Sequence, residues 1–390
     1  MPAYLVGGPV RALLLGRSAL DLDVAIDGPV AALGEALCER LAATVCKTTE
    51  FMTSTLLLED GVELDLARTR TETYPEPGAL PVVTPATLED DLDRRDFTVN
   101  AMAMSLEPRR FGELIDPHGG REDVISRRLR VLHETSFEDD PTRMLRAARF
   151  MLRLGFRLEP KTAELLRRAV AERRAATVSG ARLRNELEYL FREAPARGLA
   201  MLQELGLLEA MGLEPASGEA CATAVLVPEA AEGLGIGLSE IEPMSACLAV
   251  YVGLSEQGAA GLAVRLMLEA CARDAILQGS ALIARPPGVL SRPARNSELF
   301  FALRGLRPEA AVALWTVLRD DERARLGHYW GALRGACVEI AGTDLIAAGR
   351  RPGPRFSEAL QAALEAKLDE GADREKQLAI ALSVLDRTSE

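Results

Sequence analysis

The sequence predicts an α+β fold: a mixed head of short strands and helices, then an all-α remainder. Three observations predict it. Over the first 135 residues, short apolar runs with strand spacing alternate with helical stretches. Beyond Pro141 the apolar spacing becomes almost wholly helical. Aromatics make up only 4% of the chain while Ala, Leu and Arg abound, a composition that favours helices.

In order, residues 3–6, 22–26, 55–58 and 63–66 read as strands. Residues 9–15 and 30–42 read as helices, the first with Pro9 in its opening turn. Residues 73–85 hold Tyr74-Pro75-Glu76-Pro77-Gly78 and read as a loop. The helical part is broken by Gly and Pro near residues 155–160, 212–218, 285–293 and 350–354. No fixed-period repeat or low-complexity tract is present.

Composition narrows the functional classes. No stretch approaches the roughly 18 uninterrupted apolar residues of a membrane helix. Residues 1–15 lack a basic lead and are interrupted by Gly7-Gly8-Pro9, so they do not read as a signal peptide. A cytoplasmic protein is expected. The six cysteines are scattered without a C-x-x-C pair and there are three histidines, which argues for free thiols and against zinc. Net charge is −12, yet residues 143–184 carry twelve Lys or Arg against three Glu. Such a basic stripe on an acidic chain is what local RNA contact requires; a solvated helix face is the alternative.

Leu20-Asp21-Leu22-Asp23-Val24 places two aspartates two apart in a strand, so alternation sends both carboxylates to one face. Paired carboxylates repel, and a divalent cation relieves them. Upstream, Gly7-Gly8-Pro9-Val10-Arg11 runs from a strand into a helix; its free backbone N–H groups and Arg11 suit a triphosphate. Asp65, on a later strand, is the candidate third carboxylate, and Glu63 shares its face.

The segment Asp91-Leu92-Asp93-Arg94-Arg95-Asp96-Phe97-Thr98-Val99-Asn100-Ala101 closely resembles the R-R-D-F-T-x-N-A motif of bacterial and eukaryotic tRNA nucleotidyltransferases, the CCA-adding enzymes, and of their bacterial poly(A) polymerase relatives. The glycine turn with D-x-D, Asp116-Pro117-His118-Gly119-Gly120, Asp139-Asp140-Pro141-Thr142-Arg143-Met144-Leu145-Arg146-Ala147-Ala148-Arg149-Phe150 and the tail segment Gly342-Thr343-Asp344-Leu345-Ile346-Ala347-Ala348-Gly349 resemble further motifs of the family, in order. The chain departs from the family pattern at Ala12, usually Asp, and at Asp139, usually Glu.

The resemblance implies a polymerase-β-like nucleotidyltransferase head (1–135), then a helical neck (136–195), body (196–335) and tail (336–390). It implies that Asp21 and Asp23 hold two Mg2+ ions at the tRNA 3′-hydroxyl and the triphosphate. Gly8 and Arg11 would contact the nucleotide phosphates, and Arg95 and Asp96 phosphate and ribose. Asp140 and Arg143, three apart at a helix start, would face the same way and template cytosine and adenine, which share an amino group beside a ring nitrogen. Helix N-capping is the rival role for Asp140. Arg146 is expected near the nucleotide, with Arg149, Arg153 and Arg157 nearer the RNA. The implied partners are tRNA, CTP and ATP, with no membrane. An enzyme adding only CC or only A, a poly(A) polymerase, and an inactive RNA-binding protein remain alternatives. Twenty-three residues separate Arg70 from Arg94, so the loop linked in this family to the C-to-A switch is not plainly deleted, and the acidic tail differs from the basic extensions of poly(A) polymerases.

Overall fold

Alternating apolar residues in the first 115 positions pair into one seven-stranded sheet in the computed structural model, which describes residues 1–18, 22–41, 43–49, 52–59, 61–73, 82–255 and 258–387. The chain divides into two units, residues 1–194 with 200–215, and residues 195–199 with 216–390.

In the first unit the sheet strands are β1 (Ala3–Val6), β2 (Leu22–Ile26), β3 (Thr44–Thr49), β4 (Thr53–Leu57) and β5 (Glu63–Arg68). The next two, β6 (Arg70–Thr73) and β7 (Val82–Pro85), form a separate antiparallel pair; β8 (Ala103–Ser105) and β9 (Leu114–Ile115) complete the sheet. Its order is β3-β4-β5-β2-β1-β8-β9. Central β2 runs parallel to β5, with Asp23 opposite Asp65, and antiparallel to β1. Since paired residues share a face, Asp23, Ala25 and Asp65 lie on one side, and Val24, Leu64 and Leu66 on the other.

Four helices accompany the sheet: α1 (Gly8–Leu14), α2 (Val30–Leu41), α3 (Leu88–Asp93) and α4 (Gly120–Ile125). On α3, Leu92 packs with Val6, Ala25 and Ala103 on the Asp23 face. Thr87 and Asp90 cap its start reciprocally. Glycine is required at Gly7: its φ is 66°, and a Cβ there would lie 2.9 Å from a guanidinium nitrogen of Arg95. Beyond the head come α5 (Ser136–Asp139), α6 (Thr142–Leu154), α7 (Pro160–Ala171) and α8 (Gly180–Glu193).

One expectation needs correction. Residues 82–85 are strand, not loop, because the β-branched run Val82-Val83-Thr84 outweighs the flanking prolines and pairs with Arg70–Thr73 at an edge where proline is tolerated. Residues 74–81 lie outside the described residues.

The second unit is helical. The helix Pro243–Gly253 is buried along nearly its whole length and packs against Ala270–Ala284 and Pro308–Val317. A Cβ at Gly279 would sit 2.8 Å from that of Ala249, so glycine is what permits this close approach. A second cluster gathers Leu345, Ala359, Ala363 and Ala381 where helices Gly342–Ala347, Arg355–Glu370 and Arg374–Asp386 meet.

Candidate active site

A cleft of about 540 Å³ opens in the first unit over the Asp23 face of the sheet. Ten of the thirteen site residues expected from sequence line it: Gly8, Arg11, Asp23, Arg95, Asp96, Asp140, Arg143, Arg146, Arg149 and Arg153. Asp21 lies outside the described residues. Asp65 stands in register beside Asp23 and accepts from the Thr55 hydroxyl at 2.5 Å. Arg157 is exposed on the short strand Arg157–Leu158 and does not line the cleft.

The floor is set by α3 and the turn that follows. Asp91, nearly fully buried, accepts from both Arg94 (2.7 Å) and Arg95 (2.9 Å), fixing two guanidiniums with one carboxylate. Glu72 takes a second bond from Arg94 at 2.6 Å, and the Arg94 Nε donates to the Arg70 carbonyl at 3.0 Å. The segment between Arg70 and Arg94 is therefore tied at both ends.

Asp96 is also buried and fully engaged. One oxygen accepts from the Phe97 N–H (2.8 Å) and the Asn100 amide (2.9 Å); the other accepts twice from Arg146 (2.8 and 2.7 Å). Burial opposes its charge, but Arg146, Asn100 and Arg143 outweigh burial and hold the carboxyl down at about 2. Asn100 accepts in turn from Arg11. Asp96 was expected at a ribose hydroxyl; here it is the strut between the head and α6. Arg11 is buried, and burial, with Arg153, Arg146 and Arg149 nearby, lowers its guanidinium to about 10.

The expected placement of Asp140 and Arg143 on one helical face is corrected. The helix starts at Thr142, and Asp140 is extended (φ −133°, ψ 94°) because a residue preceding proline is driven out of the α region by Pro141. Asp140 accepts on one oxygen from the Thr142 N–H (3.0 Å), the Thr142 hydroxyl (2.7 Å) and Arg182 (2.8 Å). Arg143 donates to Ser136 (2.7 Å) and to the Arg94 carbonyl (2.8 Å). The two side chains still meet at the same cleft, from a turn and from the first helical turn.

Arg149 also departs from expectation. Rather than facing outward, it is buried beneath α8, beside Glu186 (3.5 Å) and over the Tyr189 ring (5.0 Å). The basic stripe is largely neutralised: Arg146, Arg149, Arg153, Arg168 and Arg184 pair with Glu186, Glu193, Glu138 and Glu188, all outside residues 143–184. Sequence reading missed Asp91, Asn100, Phe150 and Glu186 as site residues. Asp91, Asn100 and Phe150 lie inside recognised motifs; Glu186 carried no local signal.

Residues 3–130 match the poly A polymerase head domain, and residues 155–215 the probable RNA- and SrmB-binding site of polymerase A. An A-adding tRNA nucleotidyltransferase of Geobacter sulfurreducens is 35% identical over 99% of this chain and 45% of its own length. A CC-adding tRNA nucleotidyltransferase of Deinococcus radiodurans is 35% identical over 84% of this chain and 89% of its own. The chain belongs to the tRNA nucleotidyltransferase family. The chain spans less than half the length of the first of these relatives. A solved CCA-adding enzyme superposes with a TM-score of 0.82 at 31% identity, covering 98% of this chain and 91% of that one. Complexes of CCA-adding enzymes with CTP, with ATP and, from Thermotoga maritima, with tRNA give 0.80, 0.79 and 0.77 at 29–30% identity, each over at least 99% of this chain and 91–92% of theirs. Among the described residues no helix is long and apolar enough to cross a membrane.

Members of this family generally use a divalent metal. Asp23 and Asp65 fit such an ion: adjacent carboxylates in register on parallel strands, with Asp65 held by Thr55, offer hard oxygen ligands.

Proposed function

We propose that this family member adds C and A nucleotides to the 3′ end of tRNA from CTP and ATP, without a nucleic-acid template and with release of pyrophosphate. One observation carries the reading: Asp140 and Arg143 reach the same cleft as Gly8, Arg11 and Asp23. A carboxylate acceptor and a guanidinium donor together match the amino group and ring nitrogen shared by cytosine and adenine. Uracil and guanine would set a carbonyl against the carboxylate.

In this reading Asp23, with Asp21 and Asp65, holds Mg2+, which supplies positive charge at the attacking 3′-hydroxyl and at the triphosphate. Gly8, Arg11 and Arg146 line the phosphate side. Arg95, braced by Asp91, points a fixed fork at the same region. Asp96 positions Arg146. Arg153 and Arg157 serve the RNA. The head, neck, body and tail divide at residues 135, 195 and 335, and the enzyme works in the cytoplasm.

The Geobacter relative, A-adding and matched over 99% of this chain, favours a second reading in which only the terminal A is added. Transcripts of tRNA ending before the first C, after C and after CC, each given CTP, ATP or both, separate the two. Full CCA addition predicts extension of all three to CCA. A-only addition predicts ATP use on the CC-ending transcript alone. No extension of any transcript would overturn both readings.

A further inference from the structure

Three guanidiniums converge on one benzene ring. The terminal carbons of Arg11, Arg146 and Arg149 stand 5.3, 5.5 and 5.3 Å from the centroid of Phe150, and ring and guanidiniums all line the cleft. Like charges packed this closely repel, so something must hold them. Carboxylates account for two: Arg146 pairs with Asp96 and Glu186, and Arg149 with Glu186. Arg11 makes no ion pair within 4 Å among the described residues; it is buried, its hydrogen-bond acceptor is the neutral Asn100 amide, and Asp96 supports its charge only from farther off. What lies beneath Arg11 is the electron-rich ring. The ring is itself fixed, buried and meeting Phe97 edge-on at 87° and 5.8 Å. A leucine at 150 would fill much of the space but offer no quadrupole.

We infer that Phe150 is a positioning residue for the triphosphate: its ring gathers the guanidiniums of Arg11, Arg146 and Arg149 into one anion-binding cluster. The inference rests on the reading of the cleft as the nucleotide site. Once the ring carries part of the cost of bringing the cations together, their remaining N–H groups are available to phosphate oxygens.

A fluorination series tests the ring without removing it. Mono-, di-, tri- and pentafluorophenylalanine placed at residue 150 of the full chain keep the shape and drain the ring's negative face stepwise. Equilibrium affinity for ATP and for inorganic triphosphate is measured beside thermal stability. The ring's role predicts Kd rising with each fluorine, reaching roughly tenfold at pentafluoro, with melting temperature nearly constant across the mono- and difluoro members. Those members carry the test if the heavily fluorinated chain does not fold. Affinity that stays flat across the series, while the parent binds, overturns the role of Phe150 alone. A parent that binds neither ligand overturns the nucleotide cleft, and the role of the ring with it.

Discussion

At the scale of single residues, Asp140 shows how one proline shapes a candidate specificity site. Pro141 forces Asp140 out of the helix, and the freed carboxylate both braces Thr142 and reaches the cleft. Capping and base recognition, rivals on paper, are compatible because one oxygen takes all three protein bonds. Two substitutions therefore separate them. Asp140→Ala is expected to lose about 1 kcal/mol of stability with the Thr142 bonds and to lose discrimination against UTP by about 1–3 kcal/mol. Asp140→Asn keeps an acceptor for Thr142 but presents an amide donor, so it is expected to melt near the parent yet accept UTP more readily. Single-nucleotide addition with all four triphosphates, beside thermal melts, reads both. An Asn variant as selective as the parent would remove Asp140 from base choice. The carboxylates and arginines of the cleft were legible because their chemistry needs those residue types at short spacing. Phe150 stood inside a recognised motif but without a role, because a phenylalanine on a helix reads as core, and Glu186 acts across forty residues on Arg146.

At the scale of elements, α6 is joined to the head through Asp96, whose two oxygens are shared between Asn100 and Arg146. Its folded-state value, about 2, lies below the usual carboxylate range. As pH falls, the unfolded chain therefore binds this proton first. The stability that Asp96 contributes is complete above about pH 4 and is lost as pH falls through about 2, on the order of 2 kcal/mol in full. Denaturant melts of the parent and of Asp96→Asn between pH 5 and 2 measure it: the variant should begin less stable and lose less across the window. Equal losses would place the acid sensitivity elsewhere. Strands β1, β2, β4 and β5 and helices α1 and α2 were legible from alternation and from the glycine turn, whereas β3, β6, β8 and β9, short or weakly apolar, were not. The segment 82–85 was misread because proline is a strong local signal, whereas pairing with Arg70–Thr73 is a tertiary one.

At the scale of the whole molecule, charge counted along the sequence overstated the free cation available to RNA. Among the described residues Arg143, Arg157, Arg167 and Arg173 of the basic segment take no ion pair, and of these Arg143 is buried in the cleft; the other arginines are mostly matched by carboxylates from elsewhere in the chain. Binding of tRNA should therefore weaken with salt at a log–log slope of about −2 to −3, rather than the roughly −8 to −11 that twelve free cations would give. A slope near the steeper value would mean that the ion pairs open on the RNA. Asp23 is where metal-assisted nucleotidyl transfer in this cleft can be tested. Incorporation of labelled ATP and CTP into tRNA lacking its 3′ end, with Mg2+ present, is measured for the parent and for Asp23→Ala, beside the affinity of each for tRNA. The parent is expected to incorporate both nucleotides and the variant to lose about a thousandfold, with tRNA affinity within a few-fold. Turnover by Asp23→Ala close to that of the parent would contradict such transfer.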